Sequence, residues 1–590
     1  MKLRIYQFKS YIIALFISII SFSCQEGNSN ERKDRILSSM KAKNEAGHDL
    51  DENSFSNIKN FDSETLRDQL KESVESAESG KYFPENNERK DLHRKLKDLY
   101  EEKSYDLIWI SPEGLFPQAE DLLQSIRNCS EDGLVPEHYH LKNIEQKIDN
   151  LTNQNVEKGQ QELSDLDILL TSSYLGLASD MLTGRLNPRK FEDWMPDVPE
   201  KNLKDHLKEA LENNEITSSI QELSPEHPQY QKLKEALKKY KEIAANGGWP
   251  VIDADANLKI GDSTKTVADL KERLFLTGDL QSFDSKKDEK YQFDDDLEAA
   301  IKKFQSRNGL VVDGIVGPGT LEEMNITVED RINQIMLNME RIRWQPRYYG
   351  DKYILVNVPE YMLRIYENEE VVEEMKVIVG KEYYSTPIFN EEMTYLVFSP
   401  DWTLPISIAT RDILPKVKED PDYLIRNHYE VYEDWNEDSE PVDPFSIDWE
   451  DITEEEFNFR IVQKPGPWNS LGQVKFMMPN DMAIYLHDTP SDHLFNAQER
   501  EFSSGCIRVE RPLDLTEYVL QSDPSWDRSR IYKSLNLEEP KNVILSEKIN
   551  VHIVYKTCWI DDEGEIHFLQ DIYGHDETQL TALENSMDLS

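Results

Sequence analysis

The chain has 590 residues, room for several domains at roughly 100–200 residues each, which excludes a lone small binding module. It carries 67 Lys and Arg against 114 Asp and Glu, and the resulting net charge of −47 would repel nucleic acid, whose phosphates reward clustered cations. With 10 Trp, 26 Tyr and 21 Phe it is too rich in aromatics to be a wholly disordered acidic chain.

Lys2, Arg4 and Lys9 precede an apolar run from about Tyr11 to Phe22, too short for the roughly 20 residues of a spanning helix and suited to a secretory h-region. The run ends in Ser21-Phe22-Ser23-Cys24, after which the sequence turns polar, as in a bacterial lipobox whose cysteine is lipidated. Ser21 stands where such boxes usually carry an aliphatic residue, so a lipoprotein is the favoured reading and ordinary signal-peptide cleavage the alternative. Residues 1–24 therefore read as a signal peptide with Cys24 as lipid anchor. Residues 25–90, rich in Ser, Asn, Glu, Lys and Asp, read as a polar tether. With Cys24 assigned to lipid, Cys129, Cys506 and Cys558 remain, an odd number too scattered for a disulfide framework.

From 91 to 250 the apolar spacing is helical, as at Leu166, Leu169, Leu170, Leu177 and Leu182. His138 and His140 in this region have no Cys or third His nearby and read as loop or partly buried histidines rather than metal ligands. A smaller unit follows at 255–327. Val267, Leu270 and Leu274 share one helix face, Leu297, Ile301 and Phe304 another, and the run GLVVDGIVGPGT from Gly309 to Thr320 is turn-rich. The order of Ala300-Ile301-Lys302-Lys303-Phe304-Gln305, Gly309-Leu310, Asp313-Gly314, Val316-Gly317-Pro318 and Thr320-Leu321 resembles the peptidoglycan-binding domain family. Those apolar residues are equally what any three-helix unit needs for its core, so the resemblance speaks for the fold more than for a ligand.

Between 340 and 545 the period changes to that of strands. Tyr353–Pro359, Met362–Tyr366, Val371–Val379, Thr394–Phe398, Gln473–Met478 and Ala483–Leu486 are short β-branched and aromatic runs. An acidic, aromatic insertion at about 416–469 interrupts them and is expected to be a lid. Residues 546–590 read as a strand pair, Val551–Trp559 with Ile566–Leu569 across Asp561–Gly564, and then a polar tail. The expected fold class is multidomain α+β: a helical domain, a small three-helix module and a mostly β domain with an inserted lid.

The chemistry-bearing segment is IYLHDTPSDHLFNAQEREFSSGCIRV, Ile484–Val509. Cys506 follows glycine in a Ser-Ser-Gly-Cys turn, and His487 lies nineteen positions upstream at the end of a short strand. That is a nucleophile and a base by type, and a neighbouring imidazolium or Arg508 would stabilise the thiolate. Gly505 permits a tight turn whose N–H groups could face an oxyanion. Cysteine is also among the most buried residue types, so pattern alone leaves an inert core thiol open.

The run His487-Asp-Thr-Pro490 with Ser503-Ser-Gly-Cys-Ile-Arg508 resembles the active site of L,D-transpeptidases with a YkuD-type catalytic domain, in particular the large YcbB-like subfamily. Trp402-Thr-Leu-Pro405, Ile413-Leu-Pro415, Thr386-Pro387, Pro465-Gly-Pro467 and Lys475-Phe476 support it, and the helical region resembles that subfamily's scaffold domain. The resemblance implies Cys506 as nucleophile and His487 as general base. It implies the amides of Gly505 and Cys506, with the Tyr485 hydroxyl, as oxyanion donors, and Arg508 as a donor-stem contact within the turn that also holds Ser503 and Ser504. Ser504 stands where most of the wider family has His, which leaves His487 as the better base and His493 as the competitor. Asp488 could orient His487 by its side chain, with a backbone carbonyl as the equal candidate.

The implied reaction needs no metal or cofactor. It is transfer of a peptidoglycan tetrapeptide donor stem, through a thioester and with loss of D-Ala, to a diamino-acid amine, giving a 3→3 cross-link. Water or a lipoprotein amine are the alternative acceptors, and a non-catalytic cell-wall adaptor the runner-up. The expected location is the periplasm of a Gram-negative bacterium, tethered to a membrane, with carbapenems as expected acylating agents and a locally basic cleft near Arg411 and Arg508.

Overall fold

The helical spacing read at Leu166–Leu182 becomes the longest helix of a bundle in the computed structural model, which describes residues 62–585 apart from 77–81, 83–88, 112–113, 154–158, 254–256, 285 and 437. The expected signal peptide, Cys24 and most of the expected tether lie outside the described residues. The bundle comprises α1 (Ser63–Ser76), α2 (Arg89–Glu102), α3 (Pro117–Asn128), α4 (Leu141–Asn153), α5 (Gly159–Thr183), α6 (Leu203–Asn213), α7 (Ile216–Gln221) and α8 (Pro228–Ala245). α5 is buried along most of its length because the other helices surround it, with Leu166, Leu170 and Leu177 fully buried. One stretch departs from the tether expectation. Leu66, Leu70 and Val74 repeat every four residues, and that stripe is buried in the bundle core, so Ser63–Ser76 is a packed helix.

The module contains α9 (Lys265–Thr277), α10 (Asp295–Arg307) and α11 (Pro318–Met324). The two apolar triplets read in the sequence, Val267, Leu270, Leu274 and Leu297, Ile301, Phe304, form its core. Arg307 grips Asp279 through two contacts of 2.6 Å, both side chains buried, and also reaches the carbonyl of Ile566 at 3.3 Å. Lys303 pairs with Glu565 at 2.7 Å. The module is thereby fixed against a hairpin from the far end of the chain.

After α12 (Val328–Arg343), which packs on α8, come the strands β1 (Lys352–Asn357), β2 (Met362–Glu367), β3 (Glu370–Gly380) and β4 (Ile388–Phe398). They are followed by β5 (Trp402–Thr403), β6 (Tyr429–Tyr432), β7 (Arg460–Gln463), β8 (Val474–Met477), β9 (Leu486–His487), β10 (Glu501–Ser503), β11 (Ile507–Val509) and β12 (Lys541–Val554). The large sheet runs β8-β9-β11-β3-β2-β1-β12-β4, and because β8 also pairs with β4 it closes into a ring. Closure removes open edges and surrounds a core that includes Val356, Leu363, Val377, Phe398, Phe476, Leu486 and Ile507. The sequence run Ala483–Leu486 is strand only at its end, since Ala483 has a φ of +55° and turns the chain before β9.

β5, β7 and β6 form a separate three-stranded sheet that carries the inserted lid. Its own core holds Leu404, Ile413, Val417, Leu424, Val431, Trp449 and Ile461. The lid therefore begins at Trp402, earlier than the expected 416, because its first strand comes before the acidic stretch. At the C-terminus, β13 (Cys558–Ile560) and β14 (Ile566–Phe568) pair across the expected turn. The expected polar tail is instead helical at His575–Asn585, where Asp576 and Gln579 are buried against Arg341. Its polar residues mark a buried hydrogen-bonded seam, which composition alone does not distinguish from a solvated tail. No described helix is long and apolar enough to cross a membrane.

Candidate active site

Strand alternation assembles the site. Lys475 on β8 lies opposite His487 on β9, and His487 lies beside Arg508 on β11, where the two strands run parallel. The intervening residues Phe476, Leu486 and Ile507 point the other way and are fully buried in the barrel. The backbone bond from Ile507 N–H to Tyr485 O, at 3.1 Å, carries the pairing one step further and brings Tyr485 and Cys506 onto the same face. Five chemically capable side chains, Lys475, Tyr485, His487, Cys506 and Arg508, thus share one surface.

The turn carrying Cys506 is pinned from below. Ser503 Oγ donates to the Cys506 carbonyl at 2.6 Å and accepts from Gly505 N–H at 3.1 Å. Thr386, fully buried, accepts from Gly380 N–H at 2.9 Å and donates to the Gly505 carbonyl at 2.8 Å. Gly505 has a φ of +108°, in the region that favours glycine. Its N–H is engaged by Ser503, which corrects the expectation that this amide faces an oxyanion. Ser504 is exposed, and its Oγ accepts from Arg411 Nη2 at 3.1 Å.

The Cys506 thiol is half-buried and donates to the Ala483 carbonyl at 3.8 Å. Burial pushes its pKa up. The Tyr485 N–H and hydroxyl, which both reach the sulfur, and the charges of Arg508 and Lys475 pull the other way. Burial thus opposes the thiolate that a neighbouring imidazolium or Arg508 is expected to stabilise. Burial also raises the Tyr485 hydroxyl, keeping it a proton donor, and the Trp402 indole of the lid bonds to it. The Tyr485 and His487 rings meet edge-on at 5.7 Å.

His487 is held neutral. Burial, then the neighbouring Arg508 charge, lower its pKa to about 3, against the opposing pull of its bond to the Asp488 carbonyl. That bond, from Nδ1 at 2.5 Å, fixes the tautomer and leaves Nε2 with a lone pair. The Asp488 carboxylate is occupied elsewhere, by Gln473 N–H and Thr489 N–H at 2.7 Å each. His493 sits exposed on a short 3₁₀ turn. Arg508 has a buried Nε without a partner, and burial lowers its pKa.

Lys475, Trp402 and Thr386 were visible in the sequence as supporting motifs without a role. Only the strand register and lid contacts reveal what they touch. Cys129 and Cys558 are buried in separate cores, and burial pushes both thiols far up. A cavity of about 1810 Å³ lies between α8, the module and β1–β2, and neither Cys506 nor His487 lines it. Among the described residues no group of three or more His, Cys, Asp or Glu could hold a metal ion.

A closed β-barrel with a lidded cysteine turn beside a neutral histidine matches known proteins as follows. Residues 351–527 match the family model described as L,D-transpeptidase catalytic domain. Residues 94–237 match a scaffold domain, and 264–324 a model described as "Putative peptidoglycan binding domain". A Haemophilus influenzae protein named "Putative L,D-transpeptidase" is 36% identical over 270 residues, covering 46% of this chain and 52% of that protein. The chain thus matches about half the length of that curated relative. A solved L,D-transpeptidase from Xylanimonas cellulosilytica is 14% identical, covering 51% of this chain and 99% of that one, with a TM-score of 0.16. One from Stackebrandtia nassauensis is also 14% identical, covering 52% and 96%, with a TM-score of 0.17. Scores this low leave the assignment to the family models.

The match to the L,D-transpeptidase catalytic domain family thus covers residues 351–527, which hold Cys506 and His487. A scaffold domain and a peptidoglycan-binding domain precede it.

Proposed function

We propose that this chain is an exported peptidoglycan L,D-transpeptidase that makes 3→3 cross-links through a thioester on Cys506. The observation that carries the reading is the shared face of Cys506, Tyr485 and a neutral His487 whose Nε2 lone pair is free. A donor stem binds with the carbonyl of its third residue against the sulfur. His487 Nε2 takes the thiol proton as sulfur bonds to the carbonyl carbon. The Tyr485 hydroxyl, with the Cys506 amide, stabilises the oxyanion. The tetrahedral species collapses by breaking the peptide bond, and the imidazolium returns its proton to the departing D-Ala amine. The amine of an acceptor stem's diamino acid then attacks the thioester, passes its proton through His487, and releases the thiol.

Because the thiol is raised and the imidazole lowered, proton transfer accompanies attack rather than preceding it. Lys475 and Arg508 supply positive charge beside the sulfur in a chain of net charge −47. Export and lipidation at Cys24 are part of the same reading, since the substrate lies outside the cytoplasmic membrane. Incubation with disaccharide-tetrapeptide followed by muropeptide analysis tests the reaction. A Cys506-dependent 3→3 dimer supports it, tripeptide alone indicates water as acceptor, and no product refutes it.

A further inference from the structure

We propose that Arg411, Tyr384 and Ser504 form a carboxylate-binding site at the edge of the lid, which takes the C-terminal carboxylate of the donor stem. The site rests on the transpeptidase reading, and it assigns the residues that select a stem ending immediately after the attacked bond.

Arg411 lies in the π-turn Ala409–Ile413, which runs from the helical turn Ile406–Ile408 into Leu414–Glu419. Such insertions re-aim side chains and concentrate at functional sites. Here Ala409, Thr410 and Ile413 are buried, while Arg411 reaches out of the lid. Its Nη2 donates to Ser504 Oγ at 3.1 Å, two residues before the nucleophile. Its guanidinium also lies 4.2 Å from the centre of the Tyr384 ring. Tyr384 is held in turn against the catalytic strands, since a Cβ added at Gly380 would stand 2.0 Å from its carbonyl oxygen. Lid, loop and nucleophile turn therefore meet at one cation.

That cation already holds a carboxylate. Arg411 Nε bonds Asp412 Oδ1 at 2.8 Å and Nη2 bonds Oδ2, and the Asp412 pKa is lowered by Arg411 first, then by Lys416 and Lys381. Lys416 and Lys381 therefore stand near the same carboxylate that Arg411 holds. Arg411 is planar and matches carboxylates in a forked geometry. A stem that loses one terminal residue has its carboxylate on the residue after the attacked carbonyl, roughly 4 Å away by the Cα spacing. The guanidinium bonded to Ser504, two residues before the nucleophile, is the cation to which this carboxylate is assigned. The incoming carboxylate displaces Asp412 from the fork and meets Ser504 as a second donor.

The test uses the full chain carrying Cys506→Ala, so that binding is read without turnover. Calorimetry compares a tetrapeptide stem with a free C-terminus against the same peptide as its C-terminal amide. The acid is expected to bind at least about tenfold more tightly. Adding Arg411→Ala should bring that ratio to about one, and Arg411→Lys should restore only part of it. Asp412→Asn, which frees the fork, should tighten the acid and leave the amide unchanged, a result that a merely structural contact would not give. Equal binding of acid and amide, binding of neither, or an unchanged ratio in Arg411→Ala overturns the site. Product formation by the parent chain is scored separately. Product without carboxylate preference refutes this site alone, and preference without product refutes the reaction alone.

Discussion

His487 donates from Nδ1 to the carbonyl of its own neighbour, Asp488, at 2.5 Å. The Asp488 side chain points elsewhere, its two oxygens taking the N–H groups of Gln473 and Thr489. A carbonyl can orient an imidazole without offering it a compensating charge, so the ring stays neutral, with its Nε2 lone pair available.

Asp488→Asn should therefore keep turnover within about threefold of the parent, because the orienting group is main chain. It should cost stability of roughly 1–2 kcal/mol, since one backbone N–H loses a charged acceptor. His487→Ala should lower turnover by about a hundredfold or more. Steady-state rates beside thermal melts separate the two effects.

The pH dependence of stability follows from the same histidine. Its folded pKa of about 3 lies below the unfolded value near 6.5, so the unfolded chain binds the proton first as pH falls. Stability is full above about pH 6.5 and is lost as pH falls toward 3. At pH 5 this one group removes about 2 kcal/mol. His227, lowered to about 3, and His552 and His575, each lowered to about 4 by burial, act with the same sign. Urea melts from pH 7.5 to 5 should show a steep fall in stability, and His487→Gln should lessen the slope.

Thr386 is the hidden strut of the nucleophile turn. Thr386→Val keeps the shape and leaves the Gly380 N–H and Gly505 carbonyl unpaired in a buried place. The expected cost is about 2–3 kcal/mol of stability. A further fall in turnover should follow as Cys506 drifts. A melt and a rate on the same sample check both.

Much of the architecture was legible in residue spacing. The 3.6-residue period gave the bundle and the two apolar triplets of the module, and the β-branched runs gave most barrel strands. Cys506 and His487 stood out by type, and the family resemblance of their motifs assigned them roles. The module's docking was not legible, because Arg307, Asp279 and Ile566 are far apart in sequence and nothing local marks a buried ion pair. The role of Lys475 and the engagement of Gly505 N–H were hidden for a similar reason, since each depends on strand register or on which side of a turn an amide faces. The packed helix at Ser63–Ser76 was masked by polar composition around three apolar residues.

Removing one partner of the buried pair should release the module. Asp279→Ala leaves Arg307 charged and buried, which costs about 3–5 kcal/mol. Limited proteolysis should then cut near the module while the barrel stays intact.

The measurement that tests the central claim most directly is intact mass spectrometry of the full chain mixed with a tetrapeptide stem and quenched in acid. The account predicts a mass increase equal to the stem less one molecule of its terminal amino acid, present on the parent chain and absent from Cys506→Ala. An adduct that survives Cys506→Ala, or stem turnover without any adduct when hydrolysis is slowed, would contradict a thioester on Cys506.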